Sequence, residues 1–169
     1  MRRTLVLFAT SLLLWVLVTQ LNDALAGWRV HVFAGALYVM FAALTQPHGP
    51  GLASAFLAGL VCDAHAPVAF GLHALLFAVA HEILFRARAR LPRSDALSVT
   101  LIALLLNLGL FFAFALTRLR GGPAPGALLP RLTADLVASQ VVVALAAPWF
   151  CALQERVLAL ARVPRLDPA

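Results

Sequence analysis

The chain has 169 residues, 63% of them hydrophobic and only 12% charged, with a mean hydropathy of +0.94. That composition excludes an ordinary soluble domain and fits an all-α integral membrane protein, a single transmembrane domain over residues 1–169. The net charge of +6 comes from thirteen Arg and no Lys, set in breaks between apolar runs rather than in a stripe interleaved with aromatics, which excludes a nucleic-acid groove.

Taken in chain order, six apolar runs approach the roughly 20 residues that a helix needs to cross a bilayer. The first is Thr4 to Leu21. Arg2 and Arg3 before it and Ala24-Leu25-Ala26 after it imitate a secretory leader, but the run is long and more spans follow, so an uncleaved first helix is expected. The others are Trp28 to Thr45, Gly49 to Asp63, Val68 to Phe85, Leu97 to Leu116 and Leu132 to Phe150. The third is short, and would have to begin at Pro47 or His48 to cross fully; a re-entrant segment is the alternative. Between the fifth and sixth, Arg118 to Pro130 reads as a loop, because Gly121-Gly122-Pro123 and Pro125-Gly126 oppose helix.

With six crossings and a cytoplasmic N-terminus, nine Arg fall on the inner side and four on the outer. The block from Arg86 through Arg88 and Arg90 to Arg93 is the strongest determinant of that orientation, which puts both termini in the cytoplasm. Trp28 and Trp149 fall near expected interfaces, where amphipathic rings are favoured. Cys62 and Cys151 end up on opposite sides, about 30 Å apart, too far to bridge.

The hairpin between the third and fourth runs holds the most informative polar residue. Gly51, Ala55, Gly59 and Asp63 recur every fourth position, a small-residue ridge along which another helix can approach closely. The ridge serves either packing inside the bundle or docking of a partner's span. Asp63 opens the turn Asp63-Ala64-His65-Ala66-Pro67, where a carboxylate can cap the fourth helix or bond the turn's amides. Contact with a periplasmic partner and an ion pair with Arg131 are the alternatives.

No other polar group forms a convincing site for chemistry. His81-Glu82 begins like a zinc-peptidase pattern, but Phe85 stands where the second His is required. His73 and His81 are eight residues apart, so a shared metal would need a third ligand such as His31 or Asp63. The expectation is no metal and no cofactor. Glu82 precedes Arg86 by four residues, the favourable order for a helical ion pair. Ser11, Ser54, Ser94, Ser98 and Ser139 lack a nucleophile elbow, and a membrane-embedded dyad of Asp63 with Asp135 is the weakest of the options. Asn107, Ser139 and Gln140 read as interhelical hydrogen bonds of roughly 0.6 kcal/mol each.

The stretch Gly59-Leu60-Val61-Cys62-Asp63, followed after a Pro-containing turn by Gly71-Leu72-His73-Ala74-Leu75, resembles the signature region of the bacterial rod shape-determining protein family MreD. The Arg-rich break after the fourth run and the ending from Trp149-Phe150 to Arg165 also fit that family's layout, while the low polarity of Gln46-Pro47-His48 departs from it. The resemblance implies a six-helix bundle similar to the substrate-binding subunits of energy-coupling vitamin transporters. It also implies a non-enzymatic scaffold in the inner membrane, part of the machinery that elongates the cell wall. Its partners would be an MreC-like periplasmic protein and, directly or through it, a wall-synthesis glycosyltransferase, a transpeptidase and MreB-like filaments. On this resemblance Gly59, Asp63 and Gly71 shape a partner-binding or structural hairpin, beside the packing ridge of Gly51 and Ala55.

Two other functional classes remain. A vitamin-binding transporter subunit would need a polar pocket on the outer side and a docking stripe for an energising module, for which Ala9, Thr10 and Ser11 are a poor match. An intramembrane hydrolase would rest on Asp63, Asp135 and the His residues alone.

Overall fold

Six α-helices follow one another in a computed structural model that describes residues 2–66, 69–91, 95–121 and 125–163, without the side chains of 118–121 and 125–128. They are α1 (Arg2–Leu25), α2 (Gly35–Thr45), α3 (His48–His65), α4 (Leu72–Ala87), α5 (Ala96–Gly121) and α6 (Pro125–Leu160), with 3-10 turns at Ala26–Trp28 and Arg88–Arg90. Pro67 of the expected turn, Val68 at the start of the expected fourth run, Arg93, Ser94, Gly122, Pro123 and Arg165 lie outside the described residues, as do the side chains of Arg118 and Arg120. No strand occurs among the described residues.

Among the described residues three stretches are long and apolar enough to cross a membrane: Arg2–Trp28, Ala96–Thr117 and Leu129–Leu160. Their outward faces carry exposed Leu5, Leu17, Leu105, Phe112, Val137 and Leu145, an arrangement compatible with a membrane protein. The remaining helices are shorter. At 1.5 Å per residue α2 extends about 16 Å, half of a ~30 Å hydrocarbon layer.

The sequence expectation of a helix from Trp28 to Thr45 therefore needs correction. Residues 29–34 are not helical, and α2 starts only at Gly35, where the Phe33 ring folds over the space a side chain would fill. What remains of α2 is the centre of the molecule, packed against α3, α4, α5 and α6, with Ala36 through Leu44 all buried. A helix that is apolar on every face can satisfy that pattern only by being surrounded. At its end Gln46 is extended, as a residue before proline must be, and Pro47 turns the chain directly into α3.

The expected loop from Arg118 to Pro130 is mostly helix. Pro125 is the first residue of α6, where the missing N–H costs nothing, and Pro130 and Pro148 are accommodated inside the helix. α3 is a continuous helix from His48, one of the two starts a full crossing would need, but it is not among the stretches apolar enough to cross a membrane. Before α5, Asp95 accepts a hydrogen bond from the Ser98 amide at 3.1 Å, and its bonds with Ser98 hold its carboxyl below the usual range.

α3 and α4 form an antiparallel pair, and α5 pairs with α6, while α1 lies across α3 and α6. Thr10 on α1 meets Gln154 on α6 at 2.9 Å, both buried. Near the α2–α3 turn, Arg88 donates to the Gln46 carbonyl at 3.1 Å and stacks over Phe85. Both cysteines are free and half-buried.

Candidate functional site at the hairpin end

The α3–α4 hairpin is closed by three residues acting together. Gly71 has a φ of +94°, a left-handed conformation that a side chain disfavours, and it starts α4 without a capping side chain of its own. The cap comes from the other helix: Asp63 accepts the His73 amide at 2.9 Å through Oδ1 and the Ala74 amide at 3.1 Å through Oδ2. His73 Nδ1 lies 2.8 Å from the same Oδ1. Asp63 is only 4% exposed, so these donors are what make a buried carboxylate tolerable at the positive end of a helix. Gly59, one turn earlier on α3, sets the spacing. A Cβ there would lie 2.4 Å from Ala74 Cα and 2.6 Å from Ala74 N, so only glycine lets the two backbones come this close.

Gly51 and Ala55 continue the ridge and are likewise buried within the bundle. A Cβ on Gly51 would meet His81 Nε2 at 2.6 Å and the Ala42 carbonyl at 3.0 Å. The whole ridge faces this protein's own helices. Asp63 pairs with His73 rather than with Arg131.

The non-helical residues 29–34 form a strap across the same end, and its backbone is held by side chains from three helices. Asn22 of α1 accepts the Val32 amide at 2.7 Å and donates to the Val32 carbonyl at 3.0 Å. Asp135 of α6 accepts the His31 amide and Ser139 the Phe33 amide, each at 2.8 Å. Asn107 of α5 donates to the Phe33 carbonyl at 3.1 Å and accepts the Ala36 amide at 3.3 Å. In an apolar surrounding each unsatisfied backbone group would cost about 1–3 kcal/mol, so a broken helix is stable here only because these side chains replace the missing turn. Asn107 and Ser139 thus hold backbone rather than pair helices side chain to side chain. Gln140 does join two helices, donating to the Leu104 carbonyl of α5 at 3.2 Å.

Strap and hairpin enclose a cavity of about 560 Å³. Its walls are aromatic, with Trp15, Phe33, Tyr38, Phe111 and Phe114, and its polar lining includes Asn22, Asp23, His31, His65, His73 and Asp135. That volume lies within the range of small-molecule sites. Several of the polar groups are already engaged: Asn22 and Asp135 by the strap, His73 by Asp63, and His65 Nδ1 with the Val61 carbonyl at 3.1 Å. The His73 ring stacks on Phe114 with centroids 4.2 Å apart, and Trp15 lies 4.5 Å from the His65 ring.

His73 and His81 do not share a site. Eight residues separate them by about 12 Å along α4. His81 instead lies beside His48 at the other end, where Glu82 bonds both Arg86 and His48 at 2.6 Å. The Glu82–Arg86 pair follows the expected helical spacing; His48 came from a turn that sequence reasoning treated only as a short connection. Asp63 and Asp135 lie at the same end of the bundle, each committed to backbone amides.

No family model matches the chain, and neither does any curated protein or solved structure. The fold and site define the class alone: an all-helical bundle with three helices able to span a membrane and an aromatic cavity at its hairpin end.

Proposed function

We propose that this chain is a non-enzymatic scaffold of the MreD kind, an inner-membrane subunit of the wall-elongation machinery that maintains rod shape by binding an MreC-like periplasmic protein. In this reading all six helical segments cross the bilayer with both termini cytoplasmic, the strap completing the crossing that α2 begins. The observation that carries it is the Asp63 lock. Gly59, Asp63 and Gly71, the residues of the family resemblance, are all engaged in fixing one turn, and beside that lock Phe70 is 74% exposed. An exposed aromatic beside a fixed turn, on what this reading makes the outer side, is the kind of anchor around which protein interfaces form. The engagement of the cavity's polar groups by the protein itself argues for a structural role over chemistry.

The test is pairwise binding of the purified chain to its MreC-like protein in detergent or nanodiscs. Phe70→Asp is expected to weaken binding at least tenfold while leaving the melting temperature unchanged. Undiminished binding by that variant would remove Phe70 as the anchor.

The cavity favours a second reading, a substrate-binding subunit of an energy-coupling vitamin transporter. It predicts saturable binding of a small organic ligand that quenches Trp15 fluorescence, together with recovery of ATP-binding cassette subunits from native membranes.

A further inference from the structure

His81 is fully buried, and neither ring nitrogen has a hydrogen-bond partner. Among the described residues the other buried side-chain atom without a partner is Gln140 Oε1, whose amide nitrogen is bonded; His81 alone lacks a partner at every polar atom, and such a buried imidazole is costly unless something else uses its lone pair. The space around it is built for the ring: Gly51 on α3 leaves room beside Nε2, and Phe85 stacks on it with centroids 5.8 Å apart. Two further ligand groups are adjacent. His48 in the first turn of α3 and Glu82 next to His81 on α4 bring one ligand atom each within 4.8 Å of one another and of a His81 nitrogen. The Phe85 that breaks the linear zinc-peptidase pattern packs against both imidazoles, 4.9 Å from His48.

We propose that His48, His81 and Glu82 bind a divalent transition-metal cation of the zinc class. Two imidazoles and a carboxylate are a borderline donor set that suits Zn²⁺ with a fourth position left to water. Ligand atoms on a tetrahedral zinc at about 2.0–2.1 Å are about 3.4 Å apart, so the triad has to adjust slightly. His48 is the residue that moves, because its side chain is 45% exposed whereas His81 is held by packing. The ion enters between His48 Nε2 and Glu82 Oε2, now 2.6 Å apart, and takes the place of the proton they share. Arg86 stays on Oε1 and fixes the carboxylate from behind, as outer partners of metal ligands do. The cation joins the start of α3 to the end of α4, so the hairpin is pinned by Asp63 at one end and by metal at the other. This inference is independent of the scaffold reading.

The test uses the full chain without a polyhistidine tag, stripped with chelator in mild detergent and titrated with Zn²⁺ alone and with Co²⁺ alone. One Zn²⁺ per chain is expected, with visible d–d absorption of four-coordinate Co²⁺ that Zn²⁺ bleaches and no sulfur charge-transfer band. His48→Ala, at a half-exposed position, is expected to lower affinity at least 100-fold. It should also abolish the rise in melting temperature on adding Zn²⁺ while leaving the metal-free melt unchanged. His81→Asn should lose binding to the same extent, and Arg86→Met about tenfold. Absence of one-to-one binding by the wild type, binding unaffected in His48→Ala, or binding lost only in Cys62→Ser or Cys151→Ser would each overturn the site.

Discussion

Gly59→Ala puts a single methyl group where α3 and α4 touch, and the structure says how much it should cost. The new Cβ would lie 2.4 Å from Ala74 Cα, 2.6 Å from Ala74 N and 2.8 Å from the His73 carbonyl carbon. All three are backbone atoms, so no rotamer change relieves the contact and the helices must separate by roughly 1 Å to reach ordinary van der Waals distance. Overpacking of this kind costs about 1–3 kcal/mol. The same movement pulls the His73 and Ala74 amides away from Asp63, whose bonds at 2.9 and 3.1 Å have little length to give before they fail. Weakening hydrogen bonds to a charged group adds about 1.5–3 kcal/mol, so a total near 3–5 kcal/mol is expected. The assay is thermal unfolding in mild detergent with a thiol-reactive fluorophore, which reports exposure of half-buried Cys62 and Cys151. A shift on the order of 10 °C follows for a chain of this size. Gly109→Ala is the internal control: it is also helical but has nothing within 4 Å of its Cβ position, and it should stabilise by about 0.5–1 kcal/mol. If Gly59→Ala melted with the wild type, the close approach of α3 and α4 would be wrong.

Asp63→Ala removes the acceptor from two amides and an imidazole, and should destabilise by about 3 kcal/mol in the same melting assay. Combined with Gly59→Ala it should cost clearly less than the sum, because both act on the same bonds; strict additivity would separate the lock into unrelated parts. Gly71→Ala, at a φ of +94°, should cost about 1–2 kcal/mol through backbone strain alone, with no clash to relieve. Asn107→Leu leaves the Phe33 carbonyl and the Ala36 amide without their partner and should lower stability by about 2–4 kcal/mol. Its local signature is faster hydrogen exchange at the Ala36 amide, and unchanged exchange there would contradict the bracing of the strap.

The hairpin was legible because its chemistry is local. A glycine ridge, an acid at its end and a glycine after the turn all sit between Gly51 and Gly71, and each has a specific physical role that spacing reveals. α1 and α5 were legible too, as uninterrupted apolar runs. The break before α2 was not, because Val30, Val32, Phe33 and Ala34 run straight into the apolar helix that follows, with no Gly or Pro among them to mark a stop. What stabilises the strap comes from far along the chain: Asn107 and Ser139 lie 74 and 106 residues from Phe33. The sequence presents them only as isolated polar residues within spans. α6 was underestimated because Gly and Pro near its start were read as loop signals, although proline in a first helical turn sacrifices no hydrogen bond. The cavity depends on α1, the strap and the ends of α3, α5 and α6 meeting, which no single segment encodes. The His48 cluster was not legible for a similar reason: spacing along one helix relates His81 only to His73, while the partner of His81 stands on the neighbouring helix.

The scaffold reading is tested most directly by capturing the full chain from its native membranes in mild detergent and identifying what accompanies it by mass spectrometry. Stoichiometric recovery of an MreC-like periplasmic protein with wall-synthesis enzymes, reduced by Phe70→Asp, is the predicted result. Recovery of ATP-binding cassette subunits in their place would contradict it.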